Sequence, residues 1–194
     1  MKFKHHLTGR NCYTYELYRE HIDTLHAQDK TTGNDHSEAM LAYSKMNVTR
    51  MKRLDKTIVI RQDLIHLIQS LPSQKWLILT EAWCGDAAQN IPWINKMASL
   101  NEGIQVQLIL RDENPDIMND YLTNGGKSIP KLIALNESEE ILFTWGPRPI
   151  LMQEKYAKMK EDGIEYAELS KAIHSLYAKN KGNALQEEFY LILK

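Results

Sequence analysis

The stretch Trp76-Leu77-Ile78-Leu79-Thr80-Glu81-Ala82-Trp83-Cys84-Gly85-Asp86-Ala87 constrains the fold of this 194-residue chain more than any other. A continuous apolar run reads as a buried strand, and a helical pattern begins directly after Trp-Cys-Gly. Such a strand needs cover on both faces, which a chain with 43% apolar residues can supply. The junction also sets a thiol at a helix N-terminus. Unpaired N–H groups there favour an anion, so a cysteine in that position tends toward the thiolate. No second cysteine completes a Cys-x-x-Cys pair, because Ala87 occupies its place.

Helical spacing dominates residues 11 to about 72. Tyr15, Tyr18, Ile22 and Leu25 define one amphipathic helix. Lys30 to Asp35 is a turn-rich break, and Ser37 can cap a second helix with Met40, Leu41, Met51 and Leu54 inward. Leu64, Ile65, Leu67, Ile68 and Leu71 form a third apolar face, on which His66 reads as a core or rim residue. The pattern then changes. Lys75 to Thr80 reads as a strand, Asp86 to Leu100 as a helix interrupted by Pro92, and Ile104 to Leu110 as a covered strand. Pro115 to Leu122 suggests a short helix. Lys131 to Leu135 and Ile141 to Trp145 flank a polar turn and read as a hairpin. Residues 150–160, 166–179 and 184–193 are helical in pattern. The Trp145-Gly146-Pro147-Arg148-Pro149 segment reads as a rigid turn that ends the sheet.

Helices followed by βαβαββα, with Trp-Cys-Gly at the first strand–helix junction, resemble the thioredoxin fold. Pro92 lies eight residues after Cys84, where thioredoxins kink the active-site helix. Ser128-Ile129-Pro130 precedes a strand, at the place of the family's cis-proline, and Gly146 follows sixteen residues later. The resemblance covers roughly residues 73 to 180. It is closest to a bacterial branch with a helical N-terminal extension and Arg-Asp-Glu-Asn-Pro after the central strand, here Arg111 to Pro115. It implies an α/β fold with a mixed central sheet flanked by helices. Residues 1–72 would form a helical extension packed on the main domain, and residues 73–194 the thioredoxin-like domain with C-terminal helices.

The resemblance carries over only the first-cysteine role, onto Cys84. The resolving cysteine is replaced by Ala87, the buried acid six residues before the first cysteine by Ile78, and the intervening proline by Asp86. Two readings follow. In one, the chain is a thiol–disulfide oxidoreductase in which Cys84, with a lowered pKa, forms a mixed disulfide with protein thiols or disulfides. Glutathione or another low-molecular-weight thiol would then serve as co-substrate, or Cys12 would resolve the adduct. In the other, a redox-inactive module binds an extended protein segment beside Ile129 and Pro130, by strand-like recognition. Trp83, Gly85, Asp86, Ile129 and Pro130 are the binding candidates in both. Asp86 favours the helix N-terminus yet opposes a thiolate two residues away. Glu81 reads as a solvated carboxylate at the strand end. Among Arg50, Lys52, Arg53 and Lys56, an arginine packed beside Cys84 would stabilise a thiolate or bind an anionic thiol.

A net charge of about −1 gives no electrostatic reason to expect nucleic acid or an anionic membrane as partner. No apolar stretch approaches the roughly 20 residues that span a bilayer, and no apolar region follows the basic N-terminus to make a secretory leader. Cys12 and Cys84 alone make neither a disulfide framework nor a metal site. His5, His6, His21, His26 and His36 fit no zinc spacing, so no metal is expected. A cytoplasmic monomer is the resulting expectation.

Overall fold

The apolar run after Ser73 forms β1 (Gln74–Thr80), the inner strand on which the rest of the sheet is built. In the computed structural model, which describes residues 1–194, β2 (Ile104–Leu110) pairs parallel to β1 with Gln74 opposite Ile104. On the other side β3 (Lys131–Leu135) runs antiparallel, with Leu77 opposite Ile133. β4 (Ile141–Trp145) completes the order β2-β1-β3-β4. Successive side chains on a strand point to opposite faces. Trp76 and Ile78 therefore enter the larger core, while Leu77 and Leu79 enter a smaller core on the other face. The mixed α/β class inferred from the element order is the one observed.

Helices cover both faces. On the larger core lie α1 (Tyr15–His26), α2 (Glu38–Thr57), α3 (Gln62–Gln69), α4 (Gly85–Ala98) and α8 (Asn183–Leu193). The opposite face is covered by α5 (Pro115–Asp120) and by Phe3. Thr14 and Ser37 cap α1 and α2, accepting from Leu17 N and Met40 N. Tyr18, Ile22, Leu64 and Ile68 share one core with Trp76 and Ile78, so the same apolar interior runs through the early helices and the sheet. The buried face of α2 is Ser44, Asn47, Val48 and Met51. Met40, Leu41 and Leu54 are only half-buried, and Asn47 turns inward to donate to Ala82 O at 2.9 Å. His66 is exposed. No helix is long and apolar enough to cross a membrane.

The N-terminal segment protects sheet edges. Tyr13 and Leu108 exchange both backbone hydrogen bonds at 2.8 Å, and Lys2 bridges Glu140. After the sheet, α6 (Ile150–Glu161) and α7 (Tyr166–Asn180) form a helical pair with its own small core of Met152, Leu169, Ile173 and Tyr177.

Two segments meet at the end of the sheet where β1 turns into α4. Gly146 has φ +117°, and a Cβ placed on it would lie 2.1 Å from Pro130 O. The turn leaving β4 is thus held directly against the chain entering β3. A Gly146→Ala substitution is expected to cost more than about 2 kcal/mol, since backbone rather than a flexible side chain must move. Gly125→Ala, at φ +74° but in open space, should cost only about 1 kcal/mol. Urea denaturation of the two variants against the parent chain checks both.

Candidate functional site

Cys84 is the N-cap of α4, at φ −78° and ψ 116°. Its sulfur accepts from Ala87 N at 3.5 Å and donates its proton to Ile129 O at 3.2 Å. The Ile129–Pro130 peptide bond is cis. Cys84 is half-buried at a cavity wall. Burial, followed by the negative charge of Asp86, pushes the thiol up to about 12. The N–H groups of Ala87 and Asp86 and the Arg148 guanidinium pull the other way and are weaker. This overturns the expectation of a lowered pKa: desolvation of the charged form outweighs the helix N-terminus.

Asp86 is the hub around this thiol. Its Oδ1 accepts from Tyr177 Oη at 2.9 Å, and its Oδ2 accepts from Arg148 Nε at 3.0 Å and from Arg148 Nη2. Asn90 Nδ2 donates to Asp86 O at 2.8 Å and to Tyr177 Oη at 2.9 Å. Arg148 Cζ lies 4.1 Å from the Tyr156 ring centroid. The turn after β4 therefore does more than end the sheet. It delivers the cation that fastens α4 to the α6–α7 pair. Removing one partner of such a poorly solvated ion pair typically costs about 3–5 kcal/mol.

Beneath that pair lies a cavity of about 350 Å³, bounded by α2, the β1–α4 junction, α6 and α7. Trp83, Cys84, Gly85 and Asp86 all line it. Ile129 instead is buried below the thiol, with its carbonyl occupied by Cys84. Arg50, one of the two arginines of the basic stretch, also reaches the cavity. His174 packs on Gly85, where a Cβ would come within 2.6 Å of the ring Nε2. Burial first, then the Arg50 charge, pushes His174 down to about 4. Arg148, His174 and Tyr177 were not recognised from sequence. Arg148 had a faint signal, a lone cation between two prolines next to Gly146. The two α7 residues had none beyond helical spacing.

The remaining candidates sit apart. Glu81 is fully buried, not solvated as expected. The Thr31–Gly33 loop covers it, with Thr32 Oγ1 accepting from Ala82 N at 2.8 Å. Glu81 Oε1 accepts from Asp112 N at 2.9 Å, and burial raises the carboxyl pKa. Trp83, itself at the cavity wall, carries the Arg111 guanidinium over its ring at 4.8 Å. Cys12 is a free thiol outside the cavity, beside Lys75 and Arg10. His5 bonds Asp116 and Asp120, and His26 bonds Ser44. No group of three or more His, Cys, Asp or Glu residues converges in a way that would hold a metal ion.

A mixed sheet of this order, with a cysteine at the β1–α4 junction facing a proline before β3, defines a thioredoxin-like protein. The chain belongs to the thioredoxin family: the family's model matches residues 33–160. α7 and α8 lie beyond the matched segment. No curated protein matches the chain. Among solved structures, it resembles an HIV epitope scaffold at 17% identity and TM-score 0.57, covering 93% of this chain and 98% of the other. It also resembles a protein of unknown function from Pseudomonas aeruginosa at 15% identity and TM-score 0.55, covering 93% and 97%. At these identities the likeness concerns the fold alone.

His174 has a consequence for stability. Its folded-state pKa is depressed, so below about pH 6.5 the unfolded chain takes up a proton that the folded chain refuses. Its contribution is complete above that pH and is lost as the pH falls toward 4. Between pH 7 and 4, the parent chain should lose about 1–3 kcal/mol more than His174→Gln. Urea denaturation of both proteins across that range measures the difference.

Proposed function

We propose that this protein is a thioredoxin-fold binding module in which Cys84 serves as a protonated, hydrogen-bonded thiol lining a small-molecule cavity. The observation that carries this reading is the Cys84 S–H bond to Ile129 O at 3.2 Å, beneath the α6–α7 cover. Disulfide exchange needs a thiolate with an in-line path to a sulfur. With the thiol pushed up to about 12, Cys84 is held in its protonated form at pH 7. Strand-like docking of a protein segment at Ile129 is disfavoured because Ile129 is buried and its carbonyl already accepts from Cys84. Recognition therefore falls to the cavity above Gly85.

A second reading keeps the family chemistry. Cys84 would attack a disulfide, forming a protein–substrate disulfide and releasing one thiolate; glutathione or a similar thiol would then displace Cys84. The position of the sulfur 3.5 Å from Ala87 N, on the α4 N-terminus and near Arg148, favours it. These are the weaker influences on the thiol.

The two readings separate in a Cys12→Ser background. The protein is incubated with glutathione disulfide at pH 7.5, followed by mass spectrometry, and assayed for insulin reduction with glutathione. The binding reading expects no Cys84 adduct forming faster than on a free model thiol, and no turnover above the additional Cys84→Ser variant. Rapid glutathionylation of Cys84, or turnover that Cys84→Ser abolishes, would establish the monothiol reading instead.

A further inference from the structure

The cavity contains one cation that no acid neutralises. Arg50, on α2, spends one donor on Asn47 Oδ1 at 2.7 Å. Burial and the neighbouring Arg53 act on its guanidinium, and no carboxylate does. The other arginine of the cavity, Arg148, is matched by Asp86. A half-buried guanidinium without a counter-ion keeps its charge, because arginine does not give up its proton in proteins. Its planar fork suits a carboxylate geometrically.

A second donor converges on the same place. With the Gln89 amide nitrogen as donor, His174 Nδ1 accepts at 3.2 Å, which leaves the imidazole proton on Nε2. A Cβ on Gly85 would lie 2.6 Å from His174 Nε2 and 3.6 Å from Arg50 Nη1. Both groups thus lie against Gly85, the imidazole too close to admit a side chain there, which sets the two nitrogens within about 6 Å of one another at the first turn of α4, where the helix also favours negative charge. Around it the walls are apolar or aromatic: Met40, Tyr156, Leu169 and Ile173. Tyr43 and Tyr166, 41% and 65% exposed, flank the mouth. A few convergent polar groups in a largely apolar cavity are the usual composition of a small-molecule site.

We propose that the Cys84 cavity binds a small organic monocarboxylate, its carboxylate held by Arg50 and His174 on the cavity side of Gly85 and its apolar body against the tyrosine-lined walls. One uncompensated guanidinium matches one negative charge. A dianion such as phosphate would bring a second charge into an enclosure whose remaining cation is already paired with Asp86. The inference rests on the proposed binding role and gives that role its ligand class.

Phenylacetate, phenylacetamide and inorganic phosphate are the probes, titrated into the full chain by calorimetry. Phenylacetate is expected to bind at least about tenfold more tightly than its neutral amide, and more tightly than phosphate. It should also raise the NMR-observed titration midpoint of His174, since the bound anion offsets Arg50. Arg50→Gln should abolish the preference for acid over amide, and the exposed Lys52→Gln should leave it intact. Should Arg50→Gln fail to fold, Arg50→Lys keeps the charge without the fork and should weaken phenylacetate binding while preserving some preference. Equal affinity for acid and amide, tighter binding of phosphate, no binding of phenylacetate, or an unaltered preference in Arg50→Gln would each overturn the assignment. Reaction of Cys84 with glutathione disulfide would instead overturn the binding role itself, so the two failures are distinguishable.

Discussion

The Asp86 carboxylate is the charged tie between parts of the chain that otherwise meet through apolar packing and the Asn90–Tyr177 and Gln89–His174 hydrogen bonds. It sits in the first turn of α4 and accepts from Arg148, on the turn after β4, and from Tyr177, on α7. Each contact is charge-assisted and poorly solvated, so neither partner can leave without stranding a buried polar group. That one residue consequently fixes the α6–α7 pair over the β1–α4 junction. It also acts on Cys84 directly, because its negative charge lies two residues away and opposes a thiolate. Cover and charge work in the same direction, and both keep the sulfur protonated.

In the thioredoxin family the β1–α4 junction commonly presents a cysteine to partners. Here the same backbone geometry encloses it. The thiol still lies at the helix N-terminus and against the residue preceding Pro130, but its proton is donated to Ile129 O. Opposing effects decide the outcome: the Ala87 and Asp86 N–H groups and Arg148 favour the anion, while burial and Asp86 disfavour it. Burial is the largest of these. Under the proposed binding role, such a site would contact a ligand with a neutral sulfur, and Arg50 and His174 would supply the polar recognition.

Much of the architecture was legible because the signals were local. The apolar run at Trp76–Leu79, the cap at Ser37, and the polar turn before Ile141 each specify an element without knowledge of the others. The site was legible only in its local half. Trp83 to Asp86 are consecutive, and Gly146 matched Pro130 through a resemblance. Arg50 was recognisable as one of four cations of a basic stretch, but nothing singled it out as the one that lines the cavity. His174 and Tyr177 lie on a helix whose sequence records only an amphipathic face. Their meeting with Gly85 and Asp86 depends on how α7 packs, and no short-range pattern encodes that. Glu81 was misread for the same reason, since the Thr31–Gly33 loop that buries it comes from far earlier in the chain. Sequence spacing also could not weigh desolvation against a helix N-terminus, and that balance governs the chemistry of Cys84.

The protonation state of Cys84 carries the most weight and is open to direct observation. The ¹³Cβ resonance of Cys84, followed from pH 6 to 11 in the parent chain and in Asp86→Asn, reports thiol and thiolate separately. The parent signal should stay at the thiol position through pH 10, and the Asp86→Asn midpoint should fall below that of the parent. A parent midpoint at or below the ~8.5 of a free cysteine would contradict the masked thiol and return Cys84 to the role of nucleophile.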